Sequence, residues 1–476
     1  MGISAVWQRL ILVGLAVFLM GASIGNRPPL SEAARNSDVD TVRALLQEKV
    51  DVNAAEADGS TALLWASYRD NVELADLLIR AGADVNAAND LGSTPLWTAC
   101  QNGSSAMTKR LLEAGADPNK ALLLGETPLM VAARGGYPEV LQQLLAKGAN
   151  VNARAARGQT ALMWAVAQQH SDAVEVLLAR GADVHARSDS WGQVMAAPPH
   201  GYPEYNRKIL HGDYTALQFA ARVGDLTSAR LLVAAGANVN DADAWGVSAT
   251  VLAAHAGFRE FVEFLLEKGA DPNVAEAGFS ALHVAIMRRD EKMAAALLAR
   301  GADPNTPLQT WTPTRRASRD YNFSPQLVGA SPFWLAARFS QPSVMRMLVE
   351  HGADPLVVHE SHFVVGGRYE PTVETSTALM AATGMGSGRR SAWVETAPGE
   401  HEALTLQAVK LAVELGVDVN AANAEGQTAL NGAKALKYDS VVEFLVSKGA
   451  KAGPDPEPSR DSPRRGRGSE PSRGSR

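Results

Sequence analysis

The sequence predicts an all-α fold: a solenoid of about eleven helix-turn-helix units, joined by hairpin-like fingers and interrupted by four long insertions. Three observations carry this. A short hydroxyl residue recurs at Thr61, Thr94, Thr127 and Thr160, always 33 residues apart. Apolar residues follow each at helical spacing, and most units end on Gly-Ala-Asp or a near copy, as at 82–84, 115–117 and 181–183. Self-similarity at such a period marks stacked units that share a continuous core.

The unit from Gly125 to Asn152 shows the design. Thr127 suits an N-cap, and Pro128 suits the first helical position, where its missing N–H is no loss. Leu129, Ala132 and Ala133 lie at i, i+3 and i+4 on one face, the alanines small enough for close helix contact. A second helix is predicted over Pro138 to Lys147, with the pair Leu144-Leu145 buried. Gly148 supplies the left-handed residue that ends it, and Ala149 to Asn152 lead into the finger.

The series continues at Thr215, Ser248, Ser280, Ser331, Thr377 and Thr428, and the long intervals hold the insertions. Counting back one period from Thr61 reaches Pro28, so Leu30–Arg35 is the first helix. Lys49 stands where later units have the terminating glycine, which predicts an irregular cap there. Thr250 stands in the buried leucine position of its unit, which predicts a soft spot.

The chain ends differ from the array. Arg9 precedes an apolar run from Leu10 to Met20 with small residues after it, the layout of a cleaved signal peptide over 1–25. That run is short for a bilayer span, and an uncleaved membrane anchor is the alternative to cleavage. The repeats are expected over 26–451. The tail, 452–476, holds six arginines, four acids and almost nothing apolar, so disorder is expected. The chain's 476 residues exceed one ordinary core, and 46% are hydrophobic, ample for burial. A net charge of −6 argues against a dedicated nucleic-acid binder. Cys100 is the one cysteine, so no internal disulfide forms; it occupies an alanine position and reads as a small buried hydrophobe.

The repeated Thr-Pro-Leu, Ala-Ala and Gly-Ala-Asp segments resemble the ankyrin-repeat family, whose signature is T-P-L-H-x-A in about 33 residues. The signature histidine survives only at His283; Leu64, Trp97, Met130, Met163, Gln218, Val251, Trp334, Met380 and Asn431 fill its place elsewhere. An inter-unit hydrogen bond is therefore expected to give way to apolar packing. Arg134, Arg222 and Arg338 share a position that the family commonly fills with arginine, and read as scaffold. The resemblance implies a binding scaffold without catalytic machinery of its own.

Function is sought in the insertions, because long loops on a rigid scaffold carry the specific task. Ser188–Gly212, Thr306–Val328 and Val357–Ser376 fall at finger positions; Gly384–Glu402 separates two helices of one unit, at the opposite edge. The candidate partner-binding residues are Trp191, Tyr202, Tyr205 and Arg207 in the first, Trp311, Arg315, Arg316, Arg319 and Tyr321 in the second, and Phe363, Arg368 and Tyr369 in the third. Trp, Tyr and Arg concentrate binding energy at interfaces. The alternative is that these aromatics, with Phe323, fold back on the scaffold as a private core. His359-x-x-His362 has the spacing of a metal pair, yet zinc needs three or four ligands and no third is evident. No phosphate loop, dinucleotide fingerprint or serine elbow occurs.

The sequence thus predicts a non-catalytic, monomeric scaffold that binds a protein partner, with no cofactor, metal or nucleic acid, and no membrane contact once the signal is removed. The leader and the Ala/Gly/Arg-rich composition point to a bacterial periplasmic or secreted location. The reading from another class is a metal-dependent hydrolase assembled from the insertion histidines and acids. Cleavage is expected between about residues 21 and 27, clear of the Leu30 helix. N-terminal sequencing of the exported protein checks it; an intact Met1 in a membrane fraction refutes it.

Overall fold

The computed structural model describes residues 27–196, 206–312, 323–364, 371–386, 396–397 and 399–454. Among them are 22 α-helices in eleven pairs, from Pro29–Arg35 to Asp439–Ser447. Two two-stranded sheets accompany the helices, β1 (Trp191–Ala196) with β2 (Asn206–His211), and β3 (His359–Val364) with β4 (Pro371–Ser376). The chain divides into two compact units, one ending at Ala270 with seven helix pairs and one from Asp271 onward with four, to which Val194–Lys208 of the first insertion also belongs.

In the first unit the leading helices stack on one another. Ala62–Tyr68 lies between Pro29–Arg35 and Pro95–Asn102, and Pro128–Gly135 lies between Pro95–Asn102 and Ala161–Ala167. Every residue from Ala62 to Ser67 and from Pro128 to Ala133 is buried. Thr61, Thr94, Thr127 and Thr160 are N-caps as expected, each accepting from the backbone N–H three residues on. The second helix of a pair buries one stripe only. Leu144 is fully buried, whereas Leu145 is half-buried, so the expected buried pair contributes a single anchor, four residues before the glycine. Leu78, Leu111 and Leu177 hold that place in their pairs, each fully buried.

Neighbouring pairs are clamped by one asparagine each. Asn119 Nδ2 donates to the Gly148 carbonyl (3.0 Å), and its Oδ1 accepts from Asn150 N–H (2.7 Å). Asn53, Asn86 and Asn152 make the same two bonds to their successors. In the second unit Asn273 does so at 2.9 and 2.7 Å, and Asn420 at 3.2 and 2.8 Å. Asn305 reaches across the whole second insertion to Gly352 O and Asp354 N–H, both at 2.9 Å. At the joints that precede the first and third insertions the position holds His185 and Leu356 instead.

Two expectations from sequence are refined. Lys49 adopts φ 59°, the left-handed conformation that glycine takes elsewhere, and Val50 N–H reaches Leu45 O at 3.4 Å. The first cap is therefore regular in pattern and only stretched, because a lysine is strained there where glycine is not. The inter-unit bond of the lost histidine survives at two sites. Gln218 accepts from Thr215 N–H (2.8 Å) and donates to Val247 O (3.0 Å); Asn431 accepts from Thr428 N–H (3.0 Å) and donates to Gly453 O (3.1 Å). The helix Val39–Gln47 buries only Val42, the exposed outer face of a terminal repeat.

Thr250 is buried, and its hydroxyl has no hydrogen-bond partner. Desolvating a hydroxyl without a partner is unfavourable, while a methyl in its place fits the apolar surroundings. Thr250→Val is expected to stabilise the first unit by about 1 kcal/mol, read as a higher midpoint in urea. A lower midpoint would show that the hydroxyl finds a partner in solution.

Candidate partner-binding site

The first insertion is anchored before it projects. Ser188 N–H donates to Tyr214 O and Tyr214 N–H to Ser188 Oγ, both at 3.0 Å, which closes its base. Arg187 gathers the strands below: its guanidinium donates to the Asp213 and Ala242 carbonyls (3.1 and 2.9 Å) and pairs with the Asp213 and Asp241 carboxylates (both 2.9 Å). Trp191 opens β1 on this base. Its ring stacks on His211 of β2 (5.7 Å between centroids, 25° between planes), and the Arg157 guanidinium lies 4.9 Å from it. The indole remains 39% exposed, so a large rigid surface is held at the root of the hairpin.

Beside it, on the helix Ala216–Val223, Arg222 lies over Tyr214 at 5.4 Å, and Tyr214 meets Phe219 edge-on at 5.7 Å. Burial raises the Tyr214 phenol and the Asp243 carboxyl above their usual ranges; for Asp243 the N–H groups of Val247 and Trp245 and the Arg222 and His211 charges oppose the rise. The same pairing recurs along the leading helices. Arg35 covers Trp65 at 4.5 Å while Glu56 accepts the Trp65 indole N–H at 2.9 Å, and Arg134 covers Trp164 at 5.0 Å while pairing with Glu126 at 3.1 Å. Arg134 and Arg222 thus hold scaffold aromatics, as expected, and buried Arg338 donates to Met385 O at 2.6 Å and Gly386 O at 3.3 Å.

In the second unit the insertion bases pack inward. Phe323 is 1% exposed, against Phe279 (5.2 Å) and edge-on to His283 (6.4 Å). Its N–H donates to Thr312 Oγ1, and its carbonyl accepts from Thr312 N–H. Trp311, one residue earlier, is half-buried. Along β3, His359, Ser361 and Phe363 face inward while Glu360 and His362 face out. Phe363 is 6% exposed, which corrects its place among the partner-facing residues: the strand alternation commits its ring to the buried face. His359 stacks on Trp334 at 4.1 Å and bonds Val328 O at 3.1 Å, whereas His362 pairs with Glu360 at 2.8 Å on the opposite face. The two histidines therefore do not converge on one metal, and no cluster of three or more His, Cys, Asp or Glu fit for a metal occurs among the described residues.

Tyr202, Tyr205, Arg315, Arg316, Arg319, Tyr321, Arg368 and Tyr369 lie outside the described residues, and for Arg207 only its place in β2 is described. Cys100 is fully buried, its thiol pushed up to about 12 by burial, in keeping with a packing role. No described helix is long and apolar enough to cross a membrane. One exposed apolar group lies outside the insertions. Leu91, Leu123 and Leu124 are 43%, 75% and 74% exposed at two neighbouring fingertips of the first unit. The signal available in sequence was the run Leu122-Leu123-Leu124, where other fingertips carry Glu, Asp or Arg.

Family models of ankyrin repeats match residues 30–122, 96–188 and 217–307, and a single ankyrin repeat matches 328–360, together more than half of the chain. An ankyrin repeat and KH domain-containing protein of Caenorhabditis briggsae is 29% identical over 269 residues. That stretch is 52% of this chain but 9% of the relative, so the chain spans under a tenth of that protein's length. Among solved structures, the ankyrin repeat domain of human ASB11 is 30% identical, with a TM-score of 0.42, over 52% of this chain and 100% of the domain.

His283 carries a pH dependence. Its Nδ1 accepts from Ser280 N–H at 3.1 Å, which requires the neutral ring. Burial holds its pKa at about 4, below the ordinary 6.5, against a smaller opposing effect of the Thr306 backbone. The unfolded chain therefore binds the proton first on acidification. Stability is full above pH 6.5 and is lost as pH falls toward 4, by up to about 3 kcal/mol. Gln218 fills the same position in its own unit, so His283→Gln should keep the cap and remove this loss. Chemical denaturation of both proteins at pH 7 and pH 4 measures it; equal losses would assign the acid sensitivity to other groups.

Proposed function

We propose, from the premise that the chain belongs to the ankyrin-repeat family, that it is a non-catalytic scaffold that binds a protein partner through its finger insertions and leading-helix face. The bacterial envelope is its proposed location. Ankyrin repeats are typical of protein–protein interaction scaffolds; the choice of site is specific to this chain. One observation carries it: Trp191 is clasped between Arg157 and His211 on a base closed by four hydrogen bonds and ion pairs of Arg187, yet its ring faces solvent. A rigid aromatic surface beside an arginine is what interface hot spots use, because little entropy remains to be lost on binding.

The leader-like Leu10–Met20 run motivates the envelope location, and the arginine- and aromatic-rich second and third insertions are the candidate contacts of the second unit, taken by itself. Trp191→Ala is expected to lower retention of the partner from envelope extract at least tenfold, as a hot-spot truncation of about 1.4 kcal/mol or more would. The melting temperature should barely move, since the ring is exposed. A variant that melts early yet still retains the partner would reassign Trp191 to packing; unchanged retention at unchanged stability would move the site elsewhere.

A further inference from the structure

The fingertips of the first unit form a continuous row that the insertions do not interrupt until Trp191. Each tip is tied to the next by a backbone hydrogen bond. Asp90 N–H donates to Asp58 O (2.8 Å), Leu123 N–H to Leu91 O (3.1 Å), Ala156 N–H to Leu124 O (2.8 Å), and Asp189 N–H to Arg157 O (2.7 Å). The tip glycines fix the spacing as well. Gly92 has φ 84°, and a Cβ there would stand 3.1 Å from Ala121 O and from Leu122 Cα, so only glycine lets the next finger approach. The row is thus a preformed surface, with little left to order on binding.

Its chemistry changes along its length. Asp58 and Asp90 are exposed at one end, Leu91, Leu123 and Leu124 are exposed in the middle, and Arg157 is exposed at the other end. Exposed leucines in neighbouring loops, rimmed by charge, mark an interaction surface. Opposite charges on the two flanks favour a ligand with a charge order of its own and do not suit a uniformly anionic lipid surface.

We infer that this row docks an extended segment of a protein partner, with apolar side chains at its centre, a basic residue against Asp58 and Asp90, and an acidic residue against Arg157. The inference rests on the scaffold reading and names an adjoining surface, which shares Arg157 with the Trp191 site, and the peptide chemistry it takes. An extended chain advances about 3.4 Å per residue, and packed helices stand about 10 Å apart, so the three intervals between the four tips take about 9 residues.

The test is selection from a random displayed library of peptides of about that length on the full chain. Enriched peptides should carry an apolar pair flanked by opposite charges. The double variant Leu123→Asp/Leu124→Asp should weaken an enriched peptide at least about tenfold with an unchanged melting temperature, because both side chains are exposed. Asp90→Lys should shift the selected charge on that flank from basic to acidic. No enrichment, an enriched motif without the charge order, or a motif indifferent to the leucine changes overturns the inference. Leucine-dependent binding to phosphatidylglycerol vesicles in place of peptide overturns it in favour of a membrane surface. If Trp191→Ala still releases the envelope partner in any of these cases, the fingertip inference alone falls and the scaffold reading stands.

Discussion

The array hangs on an amide. A finger is extended backbone without a sheet partner, and its polar groups need hydrogen bonds. The asparagine at the end of each Gly-Ala-Asp segment meets that need for its successor. One side chain accepts from an N–H and donates to the terminal glycine carbonyl of the next pair. Because both bonds reach the following pair, the clamp sets the distance between pairs as well as satisfying them. Packing of Leu78, Leu111 and Leu144 then fills a space whose dimensions are already set. Asn305 shows how far the constraint holds: the chain runs 47 residues further before Gly352, yet the bond geometry is that of an uninterrupted joint.

Much of this was legible, since each unit writes the same local chemistry again. The Thr caps, the Pro at the first helical turn and the glycine ends act within a few residues, so spacing reveals them. Lys49 misled because its identity suggested irregularity, while the packed pair imposes the left-handed turn regardless. Gln218 and Asn431 replace the histidine in sequence, but an amide can both accept from the cap and donate across the joint, as imidazole does. The insertions were the least legible part. Whether an aromatic in a long loop turns inward depends on a face supplied by distant repeats, which the composition of the loop does not encode. Phe323 and Phe363 turn inward; Trp191 does not. The fingertip leucines sit in loops of ordinary length, and composition alone does not say that they face solvent and not a neighbouring finger.

The insertion roots share a logic. Each is closed by bonds to the scaffold before its chain continues: Ser188 with Tyr214, Leu308 with Ala330 (2.9 Å), and Trp334 Nε1 with Ser376 Oγ (3.2 Å). Private packing and outward presentation are therefore successive parts of one loop. A buried root makes an exposed residue at its edge more rigid, and rigidity is what reduces the entropy lost on binding. The histidines of these roots follow the same division. Burial lowers the pKa of His283 and His359, keeping them uncharged as packing elements, while outward-facing His362 stays with a carboxylate.

The two joints without a clamp give the array a mechanical character. A load applied along a row of identical fasteners is shared evenly, and no fastener yields before the rest. His185 and Leu356 remove two hydrogen bonds each from such a row, one in each compact unit, and they sit where the chain departs into β1–β2 and β3–β4. At the first of these the Arg187 bonds to Asp213, Asp241 and the Ala242 carbonyl replace the missing amide with charge. Salt screens an ion pair more than it weakens a backbone-directed amide bond. The stiffness of that joint therefore answers to ionic strength, whereas its clamped neighbours hold alike in dilute and concentrated solution.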